Sequence, residues 1–259
     1  MDLQLQGKQA LISGSTAGSG YAIAESLARE GCRVIINGRT QKRVDEALVK
    51  LAGDAVGFAA DLGTSDGVAK TVARFPDVDI LVNNMGIFEP KAFEEIPDPD
   101  WFRFFEVNVM SGVRLSRHYL PRMRKAGWGR IIFISSESAI HIPTEMIHYG
   151  MTKTAQLAIS RGLAETTAGT GVTVNAVLPG PTASEGVQGF VEDMAASRGT
   201  DRATVEQEFF RNIRPSSLLR RFATPEEIAA MVTFVASPLS AATNGAALRV
   251  DGGVVRSII

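Results

Sequence analysis

Lys8-Gln9-Ala10-Leu11-Ile12-Ser13-Gly14-Ser15-Thr16-Ala17-Gly18-Ser19-Gly20-Tyr21-Ala22-Ile23-Ala24-Glu25-Ser26-Leu27-Ala28-Arg29-Glu30-Gly31 starts as a short apolar run, passes through a glycine cluster and ends in a helical repeat closed by glycine. Strand, glycine loop and helix in that order set a helix N-terminus and bare backbone amides against an anion such as a pyrophosphate. The spacing is G-x-x-x-G-x-G rather than G-x-G-x-x-G, so Gly14, Gly18 and Gly20, with Ser15, Thr16 and Ser19 between them, depart from the commoner nucleotide loop. A flexible glycine-rich turn would read the same in isolation. The segments that follow separate the two.

The same alternation continues down the chain. Residues 33–37 are a second buried strand, 41–51 a helix, 55–60 a third strand and 78–82 a fourth, with Thr64 a candidate N-cap for the helix between the last two. Residues 130–136 and 171–178 add two more strands, and 246–253 a last one. Strands of about six residues alternating with helices predict a single α/β domain over residues 1–259: a Rossmann-like, doubly wound parallel sheet of about seven strands with helices on both faces. Ligands of such sheets collect at the C-terminal ends of the strands. Gly14, Asp61, Asn83, Ser136 and Pro179 all stand just past such ends, so one cleft can hold them.

After the second strand comes Gly38-Arg39-Thr40, with no Asp or Glu. A carboxylate there would hold a ribose 2′-hydroxyl, whereas a nearby arginine accommodates a 2′-phosphate. Arg39 therefore favours NADP(H), with NAD(H) the alternative if its side chain only meets solvent.

Composition narrows the function classes. Of 259 residues, 45% are hydrophobic and 21% charged, which suits a soluble protein with a sizeable core. The net charge of -1 gives no electrostatic case for nucleic acid or an anionic membrane. No apolar run approaches the ~18 residues of a membrane span, and the N-terminus carries no signal-peptide pattern, so a cytoplasmic location is expected. The single cysteine, Cys32, excludes an internal disulfide, and the three histidines show no metal-ligand spacing, so no metal is expected.

The chemistry is read from Ser136 to Lys153. Tyr149 and Lys153 stand four residues apart and would share one face of a helix. An ammonium beside a phenol draws the phenol pKa down from its usual value of roughly 10, which makes a tyrosine a usable general acid or base. Ser136 ends the apolar run Arg130-Ile131-Ile132-Phe133-Ile134-Ser135-Ser136, at the mouth of the expected cleft. Asn108 interrupts a helical stretch over residues 100–125, where asparagine competes for backbone bonds. It is either a kink with a purpose or a tolerated polar residue.

Taken together, Gly14-x-x-x-Gly18-x-Gly20, Asp61, Asn83-Asn84-x-Gly86, Asn108, Ser136, Tyr149-x-x-x-Lys153, Asn175, Pro179-Gly180 and Asp251-Gly252-Gly253 resemble the short-chain dehydrogenase/reductase family, over nearly the whole chain. The resemblance implies a hydride transfer between a nicotinamide cofactor and a secondary alcohol or ketone, in the manner of 3-oxoacyl-type carbonyl reductases. A sugar or polyol dehydrogenase using NAD(H) is the alternative, and a nucleotide-sensing protein without turnover a further one. It implies that Tyr149 is the general acid or base and that Lys153 lowers its pKa and holds the nicotinamide ribose. Ser136 would bind the substrate oxygen, and Asn108 would hold, in a distorted helix turn, a water linking Lys153 to solvent. Asp61 and Leu62 would touch the adenine, Asn83 the adenosine ribose, and Pro179, Gly180 and Thr182 the nicotinamide carboxamide and diphosphate, with Gly86 lining the site. A homotetramer is also implied.

Three positions depart from the family pattern: Ser13 for threonine, Ser19 for an apolar residue and Met85 for alanine, the last adding bulk beside the cofactor. Residues 183–222 are polar, only loosely periodic, and expected to form a substrate lid. Ser138, His141, Glu145, Met146, Pro181, Thr182 and Glu185 are substrate-contact candidates by location. His141 and His148 are otherwise expected to be paired with nearby backbone. The apolar tail Val254-Val255-Arg256-Ser257-Ile258-Ile259 is expected to pack on a neighbouring subunit.

Overall fold

Seven short apolar runs become seven parallel strands in the computed structural model, which describes residues 1–258 and, for Phe190, the backbone only. They are β1 (Gln9–Ile12), β2 (Arg33–Gly38), β3 (Ala55–Ala59), β4 (Ile80–Asn83), β5 (Gly129–Ile134), β6 (Val172–Pro179) and β7 (Ala247–Val250). Their order in the sheet is β3-β2-β1-β4-β5-β6-β7. The order reverses between β1 and β4, and the crevice beyond their ends is where such sheets bind ligands. The expected doubly wound sheet is what forms.

Both faces are covered, which is why the strands read as continuous apolar runs instead of alternating ones. Ile12, Ile36, Val82, Ile132 and Val177 point to one side, against α1 (Gly18–Arg29) and α9 (Pro225–Ala236). Leu11, Ile35, Leu81, Ile131 and Phe133 point to the other, against Val68 of α3 (Ser65–Arg74) and Leu115, Tyr119 and Met123 of α5 (Ser111–Ala126). Each such side chain contributes about 1.5–3 kcal/mol on burial, so the strands are rigid supports for the loops at their ends. Cys32 is packing material: it is buried, and burial pushes its thiol up to about 12.

The helices start where the sequence supplies caps. Thr40 caps α2 (Gln41–Lys50), Thr64 caps α3, and Thr224 forms a capping box with Glu227 at the head of α9. One start differs. Ala17, at the N-cap of α1, makes no side-chain cap bond, and the first turn of α1 carries no acidic residue.

The helical stretch around Asn108 is not one regular helix. α4 (Asp98–Phe105) runs into a π-helical turn, Glu106–Met110, and then into α5. Asn108 sits in that turn, so the interruption read from the sequence is a real distortion of the helix.

The segment 183–222 holds more regular structure than its weak periodicity suggests. It forms α7 (Glu185–Arg198), α8 (Arg202–Glu208) and a second π turn, Phe209–Ile213. Val191, Ala195 and Val205 make a small core of their own, with Val187, Met194 and Phe222 packed on it. That core is small and lies apart from the sheet, which is why the helical pattern is faint in sequence. At the other end of the chain, Val254 and Val255 are buried within this same chain, correcting the expectation that the whole apolar tail awaits a neighbour. Val255 is held there by its amide donating to Asp251 at 2.9 Å. Ile258 is exposed, and Ile259 lies outside the described residues.

Among the described residues, no helix is long and apolar enough to cross a membrane. None of their His, Cys, Asp and Glu side chains group in threes as a metal would require.

Candidate active site

The glycine loop between β1 and α1 is built for close approach. Gly14 and Gly18 have φ of 63° and 56°, the left-handed region that favours glycine. A Cβ on Gly20 would stand 2.5 Å from the Gly14 carbonyl oxygen and 2.5 Å from the Asn84 amide. Asn37 ties the loop to its neighbours: its Oδ1 accepts from the Gly14 amide (3.1 Å) and its Nδ2 donates to the Ala60 carbonyl (3.1 Å). Ser15 accepts from the Asn37 amide (2.9 Å), and Asn84 Nδ2 donates to the Ser13 and Gly14 carbonyls. The uncapped first turn of α1 thus opens onto a hydrogen-bonded shelf of bare backbone at Gly14, Gly18 and Gly20, which fits a pyrophosphate. Asn37 was not singled out in the sequence, and Asn84 only as part of the Asn83-Asn84-x-Gly86 motif. Asn37 closes an apolar strand run, and only three-dimensional pairing distinguishes it from an ordinary asparagine.

The other nucleotide-side candidates border this shelf. Arg39 is exposed at the end of β2, and Thr16 packs against Gly38. Asp61 is exposed past β3 and accepts from the Gly63 amide at 3.0 Å, while Leu62 is buried. Met85 lies over the loop, its sulfur 3.1 Å from where a Gly14 Cβ would be, and its amide donates to Ser13 Oγ at 3.2 Å. The hydroxyl of Ser13 is therefore in use, accepting also from the Asn84 amide at 2.9 Å. Asn83 is buried, and its Nδ2 donates to Ser116 of α5 at 3.1 Å. Gly180 is pressed against the Asp251 backbone, and Thr182 donates to the Gly180 carbonyl at 2.9 Å.

At the C-terminal end of β5 the chain turns through Ser136 into a short 3-10 turn and then into α6 (Ile147–Glu165). Tyr149 and Lys153 occupy one face of α6, with the Lys153 ammonium 5.6 Å from the centre of the Tyr149 ring. Lys153 is buried, and Nζ donates to the Ile134 carbonyl at 2.9 Å. Burial pulls its pKa down from 10.5 to about 8. A Cβ on Gly86 would lie 3.3 Å from Nζ, so the bare backbone there keeps the amine accessible from the cleft.

Tyr149 runs against the expected direction. Burial raises the pKa of its phenol, the Glu137 carboxylate adds to the rise, and a hydrogen bond with Ser136 and the charge of Arg214 only partly offset them. Lys153 was expected to win this contest. Its charge is not among the groups that shift the Tyr149 pKa.

Glu137 and Arg214 are the residues the sequence reading passed over. Glu137 is 4% exposed and takes four donors: Ser136 Oγ (2.5 Å), the Ser138 amide (2.9 Å) and Ser138 Oγ (3.2 Å) on Oε2, and Arg214 Nε (3.2 Å) on Oε1. Arg214 closes the second π turn and also reaches Glu145 Oε1 at 3.1 Å. A glutamate after a serine and an arginine 77 positions on carry no local signal, so their pairing is legible only in the fold. Phe88 is another such residue, an exposed ring 6.4 Å from the Tyr149 ring, at the cleft edge.

The substrate-contact candidates divide. Ser138 and Glu145 belong to the Glu137 and Arg214 network, and Met146 lies close by, in the turn leading into α6. Pro181 and Thr182 pair with Ala223 at the foot of the 183–222 segment. His141 is exposed, and Glu185 reaches Arg43 of α2 at 3.8 Å, placing it with the nucleotide-side residues. His148 is fully buried against Phe104, ring centres 4.0 Å apart, with neither ring nitrogen hydrogen-bonded. The expectation of a backbone partner fails for His148 because aromatic rings, not backbone, surround it; burial lowers its pKa and keeps it neutral.

The family model described as Enoyl-(Acyl carrier protein) reductase matches residues 14–255. The chain belongs to the short-chain dehydrogenase/reductase family. It is 53% identical, over the full length of both chains, to "Uncharacterized oxidoreductase YvaG" of Bacillus subtilis (strain 168). To the 3-oxoacyl-[acyl-carrier-protein] reductase FabG of Aquifex aeolicus (strain VF5) it is 33% identical, covering 98% of this chain and 100% of that one. Among solved structures, L-sorbose reductase from Gluconobacter frateurii, complexed with NADPH and L-sorbose, superposes with a TM-score of 0.92 over 100% of both chains at 31% identity. As a member of this family the protein is an NAD(P)-dependent oxidoreductase acting on CH-OH or C=O groups.

Proposed function

We propose that this enzyme transfers hydride between NADP(H) and a secondary alcohol or ketone, with Tyr149, Lys153, Ser136 and Asn108 managing the proton. The observation that carries this reading is the meeting, at one end of the sheet, of the glycine anion shelf with the Tyr149, Lys153 and Ser136 cluster. Gly14, Ser15, Thr16, Gly18, Ser19 and Gly20 would hold the pyrophosphate, Arg39 the 2′-phosphate, and Asp61 and Leu62 the adenine. Asn83, Pro179, Gly180 and Thr182 would line the remaining length, with Gly86 leaving room beside Lys153. When bound, the cofactor supplies or accepts the hydride; the chain does the rest.

In reduction, Tyr149 gives its phenolic proton to the substrate oxygen. Its raised pKa suits that role, because the phenol stays protonated at neutral pH. The Ser136 hydroxyl, which donates to Glu137, turns about one C–O bond to donate to a substrate carbonyl while Glu137 keeps its other three donors. In oxidation the same phenol must first lose its proton, so that direction is favoured by alkaline pH. Lys153, titrating at about 8, supplies a positive charge to the phenolate below that pH.

The substrate class is a ketone of 3-oxoacyl or ketose type. A ketose or polyol is favoured by Glu145, a half-exposed carboxylate beside the cleft that can accept sugar hydroxyls, and by the likeness to a sorbose reductase structure. Assaying NADPH and NADH oxidation with 3-oxoacyl thioesters, L-sorbose and other ketoses tests both arms. Dissociation constants for NADPH and NADH on the wild type and Arg39→Ala test the cofactor assignment. Arg39→Ala is expected to weaken NADPH about tenfold or more and NADH little, the loss of one charged phosphate contact. Tighter NADH binding that ignores the substitution would reverse it.

A further inference from the structure

Gln156 is buried one turn beyond Lys153 on α6, where no role was expected of it. Its Nε2 donates to the backbone carbonyl of Asn108 at 2.5 Å, and its Oε1 accepts from Lys153 Nζ at 3.4 Å. These partners fix the amide's orientation without ambiguity: a carbonyl only accepts and an ammonium only donates, so nitrogen must face Asn108 and oxygen must face Lys153. The Asn108 side chain is engaged elsewhere. Its Oδ1 accepts from the Ile87 amide (2.8 Å), and its Nδ2 donates to the Ile87 carbonyl and to Thr152 Oγ1 (both 3.0 Å). The π turn thus turns one carbonyl toward α6, and a protein side chain has taken it.

We propose that Gln156 is the positioning residue for Lys153, bridging its amine to the Asn108 carbonyl where a water was expected to stand. The inference rests on the proposed roles of Tyr149 and Lys153. The amide holds the Lys153 amine from one side while the Ile134 carbonyl holds it from another. In reduction, hydride adds to the carbonyl carbon, the C=O π bond breaks, and the Tyr149 proton forms the new O–H. The phenolate left behind regains its proton from solvent.

The test uses two variants of the intact protein that push Lys153 in opposite directions. The charged and titratable groups around the pair are Lys153 and Tyr149 on α6, Glu137 before it and Arg214 from the second π turn. Gln156→Met keeps the length but removes the acceptor, so the ammonium is less favoured, and the Lys153 titration, followed by NMR of 13C-lysine protein, should move down by about one pH unit, the worth of one hydrogen bond to a buried charge. Gln156→Glu places a carboxylate beside the ammonium and should move that titration up. NADPH dissociation constants should stay within about twofold of the wild type for both, since neither side chain borders the anion shelf; a purely structural role would change them along with stability. Opposite shifts support the proposal. Shifts in one direction, or no shift in either folded variant, overturn it; if the methionine variant does not fold, the direction seen in the glutamate variant decides. Absence of turnover by the wild type on every ketone and alcohol tried would instead overturn the underlying reading of the site.

Discussion

Replacing Glu137 by glutamine is the sharpest perturbation of the catalytic end of the sheet. The carboxylate accepts from four donors and donates to none. An amide of the same shape fails in either orientation. With its oxygen toward Ser136 and Ser138, its NH2 faces the Arg214 guanidinium; with its oxygen toward Arg214, its NH2 faces the Ser138 amide. One donor is left facing another donor, and Arg214 keeps only Glu145 and the Ile213 carbonyl. Breaking a buried ion pair from one side costs about 3–5 kcal/mol, and the surviving Glu145 contact puts this case near 3. For a chain of this size that corresponds to a Tm lower by about 6–12 °C, readable by calorimetry or circular dichroism. Removing the negative charge also removes one of the causes that hold the Tyr149 pKa up, so the alkaline rise of alcohol oxidation should move to lower pH. The double change Glu137→Leu with Arg214→Leu should recover most of the stability, because no charge is then left buried alone. A Glu137→Gln protein within about 2 °C of the wild type would refute the reasoning.

Two further outcomes follow from the same physics. Lys153→Met should change stability in a pH-dependent way: the folded Lys153 titrates at about 8 and the unfolded one at 10.5. Between those values the unfolded chain binds more protons, so wild-type stability rises with pH there, and the advantage of the methionine variant should shrink by roughly 3 kcal/mol at most from pH 7.5 to 10.5; a difference flat in pH would contradict the depressed pKa. Thr224→Ala breaks the capping box, in which Glu227 donates its amide to Thr224 Oγ1 at 3.3 Å and accepts from the Thr224 amide at 2.8 Å. The cost is about 1 kcal/mol, seen as a Tm drop of about 2–4 °C with kcat unchanged, and a loss of turnover would show that α9 does more than support α1.

The parallel sheet, the glycine loop and the helix cap at Thr64 are legible in the sequence, because each rests on local pattern: apolar runs, glycine spacing, a cap residue. The distorted turn at Asn108 is legible only through the family resemblance, since an asparagine in mid-helix has two readings. The sign of the Tyr149 shift is not legible, because it depends on the burial of the phenol and on Glu137, brought beside it by the turn after β5. Gln156 reads as one more helix residue until the π turn presents the Asn108 carbonyl to it. The burial of Val254 and Val255, whose amides both donate to Asp251, goes with the close passage of Gly180 past the Asp251 backbone. What sequence hides here is contact between distant elements. What it shows is the frame that brings them together.

The central claim is that Tyr149 moves the proton while the rest of the site holds the nucleotide. The most direct measurement is steady-state turnover with NADPH, on whichever ketone the wild type reduces, by the wild type and Tyr149→Phe, alongside the NADPH dissociation constant of each. Loss of one phenolic hydroxyl removes the proton donor but none of the groups on the anion shelf. A fall in kcat of about 10² or more, the usual contribution of general acid catalysis, with NADPH binding within about twofold, is the predicted result. A phenylalanine variant that turns over like the wild type would contradict the account.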